Sequence, residues 1–211
     1  MVSIYFGVPG SGKTSTAVKL MYKEAQRLFF GKSKYKHIFC NFMQNIPLVT
    51  TIPFDFLGKY DLSDSLIVID EASIFVDNRD FKSFSSDLRD FILLHRHYNC
   101  DILFFSQQWD GVDKKIRAVT ERVFYLKKSL FPNVTIIYPL MYGVYIPSTS
   151  ADKDGEYGEI SQGYKLPPLL NRIFANRFNR KPYYRFFDSF SVKELPPLPD
   201  TNYVIEEYVK K

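Results

Sequence analysis

The sequence predicts an α/β fold on a mostly parallel sheet, and three observations carry that expectation. Short apolar runs of strand length alternate with stretches of helical periodicity. The run LIVID at 66–70 is aliphatic almost throughout, as a strand covered on both faces must be. A glycine-rich loop of phosphate-binding type stands between the first apolar run and the first helical stretch. The chain has 211 residues, 45% of them apolar and 24% charged, which is enough apolar side chain for a full core and excludes a disordered or collagen-like chain.

Residues 2–6 (VSIYF) form a short run closed by Gly7, hence a buried strand. From Gly12 to about Leu28, Ala17, Leu20, Met21 and Leu28 fall on one helical face. The basic link GKSKYK leads to a second strand, HIFCNF at 37–42, and a proline-punctuated loop leads to the strand at 66–70. Phe81, Phe84, Leu88, Phe91 and Ile92 recur at helical spacing up to about His95. Strands follow at 101–106 (DILFFS) and 122–127 (RVFYLK). VTIIY at 134–138 and MYGVYI at 141–146 are expected as two added strands, a hairpin or sheet extension. An acidic loop at 151–159 and a proline- and aromatic-rich stretch from Lys165 complete the chain. The expected organisation is a nucleotide-binding core over 1–128, with C-terminal strands and a basic-aromatic extension over 129–211 packed on it.

Cys40 and Cys100 lie inside apolar runs and make no framework, which suits a reducing compartment. The N-terminal stretch lacks the basic and apolar regions of a signal peptide. The longest apolar candidate, VTIIYPLMYGVYI, is short for a bilayer and carries Pro139 and Gly143, so no segment is expected to span a membrane by itself. The net charge is +5 and unevenly spread: residues 1–60 hold eight basic and two acidic side chains, residues 61–126 eight and twelve, residues 127–211 twelve and nine. Basic ends around an acidic centre can meet a polyanion on selected faces.

Gly7-Val8-Pro9-Gly10-Ser11-Gly12-Lys13-Thr14 fits G-x-x-x-x-G-K-[ST], and with Ser15 it makes the expected nucleotide-binding set. Its glycines let successive N–H groups point inward, and the helix N-terminus adds partial positive charge. Lys13 is expected to reach the β- and γ-phosphates of ATP, and the Thr14 hydroxyl to ligate Mg²⁺ together with Asp70 at the end of LIVID. Glu71, the next residue, is expected on the other side of the strand end as a base or orienter for an attacking water. The Asp-Glu pair speaks for hydrolysis rather than transfer to a substrate hydroxyl, as in a small kinase.

The N-terminal phosphate loop, IVIDEA, LLHRHYNCDILFFSQQ and VDKKIRAVTERVFYLKK together resemble the Zot-like family, the zonular occludens toxin and gene I proteins of filamentous phages. This family lies within the FtsK/HerA superfamily of DNA-pumping P-loop ATPases. The resemblance covers 1–128 and extends more loosely to KPYYRFFDSF at 181–190. It implies a RecA/FtsK-like P-loop NTPase fold, and it implies that Gln107 is a polar sensor of the γ-phosphate or its water, with Gln108 as the alternative. It further implies an arginine finger supplied by a neighbouring subunit, with Arg122 the first candidate and Arg96 and Arg117 behind it. Family members usually continue into a transmembrane helix, and this chain ends at Lys211 without one. Membrane contact is thus expected only through a partner or a missing segment.

His95 and His97 at i, i+2 do not share a helical face, which argues against a metal site there. No serine or cysteine has an evident base partner for nucleophilic catalysis. Arg172, Arg177, Arg180 and Arg185 alternate with aromatics and form the nucleic-acid candidate surface; packing of the aromatics on the core with wet arginines, or contact with anionic lipid, are the alternatives.

The expected function is an ATP-hydrolysing motor for filamentous phage assembly and export of single-stranded DNA. It would act as a self-assembled ring, by resemblance a hexamer, with phage assembly and membrane exit proteins at the cytoplasmic face of the bacterial inner membrane. The alternatives are a viral genome-packaging ATPase and an ATP-dependent scaffold or switch without sustained turnover.

Overall fold

Along three consecutive strands, alternate side chains enter two different cores. Val2 and Ile4 of β1 (Val2–Phe6), Ile67 and Ile69 of β4 (Ser65–Ile69), and Ile102 and Phe104 of β5 (Asp101–Ser106) pack into one cluster. Tyr5, Leu66, Val68, Leu103 and Phe105 pack into the other. The period of two that sends side chains to opposite faces therefore meets apolar cover on both sides, which is why these runs read as nearly continuous hydrophobic segments. The computed structural model describes residues 1–71, 86–109, 111–145, 161–165 and 175–188.

Helix α1 (Lys13–Phe29) supplies Ala17, Val18, Met21 and Ala25 to one core. On the other face, α2 (Ser86–Leu94) contributes Leu88, Phe91 and Ile92, and α3 (Lys114–Ala118) contributes Ile116. Each fully buried Leu, Ile or Phe stabilises by about 1.5–3 kcal/mol relative to exposure, so the central strands carry most of the hydrophobic driving force. The expected helix at 81–95 is observed over Ser86–Leu94, and residues 81–85 lie outside the described residues.

The remaining strands are β2 (His37–Cys40), β3 (Thr50–Thr51), β6 (Arg122–Lys128), β7 (Val134–Tyr145), β8 (Ser161–Lys165) and β9 (Asn176–Asn179). Among the described residues the sheet order is β3-β2-β4-β5-β1-β6-β7-β8, with β9 also on β7. β3 to β6 pair in parallel, as the sequence predicts, and β7 turns antiparallel on β6. The fold is therefore α/β with a mostly parallel sheet.

Residues 134–145 form one strand rather than the two expected. β7 pairs with β6 over Thr135–Leu140, with β9 over Val134–Ile137 and with β8 over Met141–Tyr145. Pro139 falls between the β9-paired and β8-paired stretches on that edge, where its missing N–H leaves no ladder bond unmade. The strand runs through Pro139, which lies between the two expected segments. β3, α3, β9 and the 3₁₀ helix Lys181–Phe186 carry too little periodicity to be read in advance. The acidic loop at 151–159, Arg172 and residues 189–211 lie outside the described residues. Among the described residues no helix is long and apolar enough to cross a membrane.

Candidate nucleotide site

The chain leaves β1 at Gly7, whose N–H donates to the Ser106 carbonyl at 3.2 Å, beside the carboxyl end of β5. It must pass close to β6: a Cβ on Gly7 would stand 2.4 Å from the Leu126 carbonyl oxygen. Gly12 enters α1 at φ +93° and has no side-chain cap, which leaves the first helical N–H groups turned toward the loop's concave side. A Cβ at Gly12 would lie 2.1 Å from the Thr135 hydroxyl oxygen, and that hydroxyl donates to the Ser11 carbonyl at 2.8 Å. The C-terminal strand β7 thus holds the loop from behind. Replacing Thr135, fully buried, with valine should leave the Ser11 carbonyl without its donor. Thermal unfolding should report a loss of about 1–3 kcal/mol, and the loosened loop should bind ATP more weakly in titration.

Lys13 is 6% exposed, and its ammonium donates to the carbonyls of Gly7 at 3.0 Å and Val8 at 3.5 Å. Burial pulls its pKa down, and the carboxylates of Glu71 and Asp70 act against that shift. The Thr14 hydroxyl donates to Asp70 Oδ2 at 2.7 Å. Asp70 is 7% exposed; burial raises its pKa, and the bonds from Thr14 and the Glu71 N–H partly offset this. Asn41, at the end of β2, brackets Asp70: its amide donates to the Asp70 carbonyl at 2.9 Å and accepts from the Asp70 N–H at 2.8 Å. Asn41 escaped the sequence reading; its only signal is its place directly after a strand that pairs with β4. A hydroxyl and a buried carboxylate side by side form an all-oxygen donor set suited to a hard cation such as Mg²⁺.

Glu71 does not sit on the far side of the strand end, where alternation would put it. Its φ is +52°, a left-handed conformation that a non-glycine residue adopts at a cost of about 1–3 kcal/mol when the surroundings impose it. The turn brings its side chain into the same cleft as Asp70's neighbours, where Gln107 Nε2 donates to both carboxylate oxygens at 3.3 and 3.4 Å. Gln107 follows directly on β5 and lines the cleft. Gln108 instead exchanges backbone bonds with the Ser106 hydroxyl. Of the two glutamines, the structure brings Gln107 to Glu71.

The cleft holds about 640 Å³ and is lined by Pro9, Gly10, Gly12, Lys13, Thr14 and Ser15 opposite Glu71 and Gln107. A volume in this range suits a ligand of nucleotide size. Its remaining wall comes from Arg180, Tyr184, Phe187 and Asp188 near the described C-terminal end.

The arginines expected to act elsewhere divide. Arg122 opens β6 opposite Ser3, at the strand end remote from the phosphate loop. Arg96 is exposed and pairs with Glu121 at 3.0 Å, beside the buried His95. Arg117 stacks on the Trp109 ring with 5.4 Å to its centroid. Of the nucleic-acid candidates, Arg177 is exposed on β9, and Arg185 is exposed with its guanidinium 4.7 Å from the Phe186 ring centroid. Arg180 does not share that open surface: it is half-buried against the phosphate loop. Phe178 and Tyr183, between these arginines, and Phe186, directly after Arg185, pack on the core beside α1.

A mostly parallel sheet with a phosphate loop after its first strand, β1, and an acidic pair at the end of β4 is the architecture of a P-loop NTPase fold. Residues 43–136 match the family model described as zonular occludens toxin (Zot), so over that span the chain is similar to that family. The N-terminal domain of zonular occludens toxin from Neisseria meningitidis superposes with a TM-score of 0.57 at 18% identity, covering 89% of this chain and 98% of that one. The DNA-packaging ATPase B204 of Sulfolobus Turreted Icosahedral Virus gives 0.46 at 13% identity over 65% of this chain and 91% of that one. The flagellar accessory protein FlaH of Methanocaldococcus jannaschii gives 0.47 at 13% identity over 65% and 76%. No curated protein matches by sequence.

Proposed function

We propose that this chain is an ATP-hydrolysing P-loop ATPase that drives filamentous phage assembly and the export of single-stranded DNA across the bacterial inner membrane. One observation carries the hydrolytic part: Lys13, the Thr14–Asp70 pair and the Glu71–Gln107 pair converge on one cleft. On nucleotide entry the Lys13 ammonium exchanges its loop carbonyls for phosphate oxygens, a charge-assisted bond stronger than the one it gives up. Thr14 and Asp70 would hold Mg²⁺, which neutralises charge on the β- and γ-phosphate oxygens when bound. The Glu71 carboxylate takes a proton from the attacking water, and Gln107, bonded to that carboxylate, orients both.

The finer reading rests on the Zot-family match over residues 43–136 and on the phage-type resemblance of the N-terminal segments. In this reading the working form is a ring, with Arg122 or Arg96 reaching a neighbour's site and membrane exit proteins anchoring the ring. The exposed Arg177 and Arg185 meet DNA phosphates. Affinity for single-stranded DNA should then fall steeply with salt and show little sequence preference. Replacing Arg177 and Arg185 by alanine should weaken binding and reduce the salt slope by about one unit per lost phosphate contact. The test is ATPase rate against single-stranded DNA concentration with the cognate membrane component present. Stimulation supports the motor; a flat response with salt-independent DNA binding contradicts it.

A further inference from the structure

Arg180 is misplaced for a surface arginine. Its backbone is fixed by β9, which pairs Val134 with Asn179, and by its own N–H, which donates to the Asn133 carbonyl at 2.7 Å. The side chain then crosses to the phosphate loop. Nη1 donates to the Gly10 carbonyl at 3.1 Å, and Cδ would stand 2.8 Å from a Cβ on Gly12. Nε is buried and, among the described residues, has no hydrogen-bond partner. A guanidinium carries five N–H donors, and a buried donor left unpaired is costly, so a permanent structural role would be expected to satisfy Nε as well. The group lines the same cleft as Lys13, Thr14 and Gln107.

We propose that Arg180 is a phosphate ligand of the nucleotide site, supplied by the same chain. This rests on the reading of residues 7–15 as a nucleotide loop. The guanidinium edge formed by Nε and an Nη matches two oxygens of a phosphate group, a fork that Lys cannot reproduce. In the free protein the Gly10 carbonyl holds the guanidinium beside the loop through Nη1; a polyphosphate that meets the Nε–Nη2 edge satisfies the orphaned Nε. The proposal sets an arginine of the chain itself beside the one expected from a neighbouring subunit. It also removes Arg180 from the nucleic-acid surface and leaves a neighbouring subunit to supply any further arginine.

The test is equilibrium binding of ATP, ADP and AMP to the wild-type chain and to Arg180→Ala, Arg180→Lys and Lys13→Ala, at several salt concentrations, with thermal unfolding of each. Arg180→Ala should lose about tenfold or more in ATP affinity, with a shallower salt dependence. AMP, whose single phosphate leaves the outer part of the loop empty, should be affected less than ATP. Arg180→Lys should recover part of the loss. Equal weakening of all three nucleotides, with a lowered unfolding temperature and no change in salt dependence, would assign Arg180 a purely structural role and overturn the proposal. Unchanged ATP affinity in Arg180→Ala, while Lys13→Ala abolishes binding, would overturn it and leave the nucleotide-site reading intact. A folded wild-type chain that binds none of the nucleotides would overturn both.

Discussion

Lys13→Ala is expected to weaken ATP binding by about 100-fold or more while the protein stays folded. The loss corresponds to about 3 kcal/mol, the upper range for hydrogen bonds to charged groups. The fold should tolerate the change because the lysine is not an asset to the free protein. Its ammonium is buried, burial lowers its pKa, and among the described residues its hydrogen-bond acceptors are two loop carbonyls. Truncation removes a desolvated charge, so the thermal unfolding temperature should stay near the wild-type value. Calorimetric titration of ATP into the variant, with a melting curve on the same sample, measures both. Wild-type affinity in a folded Lys13→Ala protein would contradict the role of the loop.

Glu71→Gln should separate binding from chemistry. The substitution preserves length and the left-handed backbone already imposed at this position, and it keeps an oxygen for the Gln107 amide. What it removes is the proton acceptor. Removal of a general base lowers kcat by about 10²–10⁴-fold, and an interaction made only in the transition state leaves ATP affinity nearly unchanged. Asp70→Asn is the informative companion, since Asp70 bonds Thr14 and would act with the cation. If Asp70→Asn alone abolishes turnover and Glu71→Gln is neutral, the two roles are reversed.

What was legible in the sequence follows contiguity. The phosphate loop spans eight consecutive residues between a strand and a helix, so local pattern alone locates it. LIVID announced itself because β4 lies between β2 and β5 and is buried on both faces. Gln107 was within reach through the family resemblance, and it directly follows a strand whose carboxyl end faces the loop. The direction of Glu71 was not legible, because a positive φ breaks the alternation on which the expectation rested. Arg180 was not legible either. Its bond to Gly10 spans 170 residues and depends on the β7–β9 pairing, which no local period announces. Composition placed it among DNA-contacting arginines because arginines in an aromatic-rich segment look alike until the backbone aims them. Thr135 is hidden for the same reason: an inward hydroxyl on an apolar strand reads as an ordinary strand residue, and only the fold sets it against Ser11.

Binding and cleavage of ATP by residues 7–15 with Asp70, Glu71 and Gln107 can be tested in a single reaction. The most direct measurement is a single-turnover experiment with γ-labelled ATP and Mg²⁺ on the wild-type chain and Glu71→Gln, following bound nucleotide and released phosphate in the same reaction. Both proteins should bind ATP to the same extent, the wild type should release phosphate, and Glu71→Gln should release it at least about 100-fold more slowly. Equal phosphate release from the two proteins, or a folded wild-type chain that retains no ATP, would contradict the hydrolytic reading.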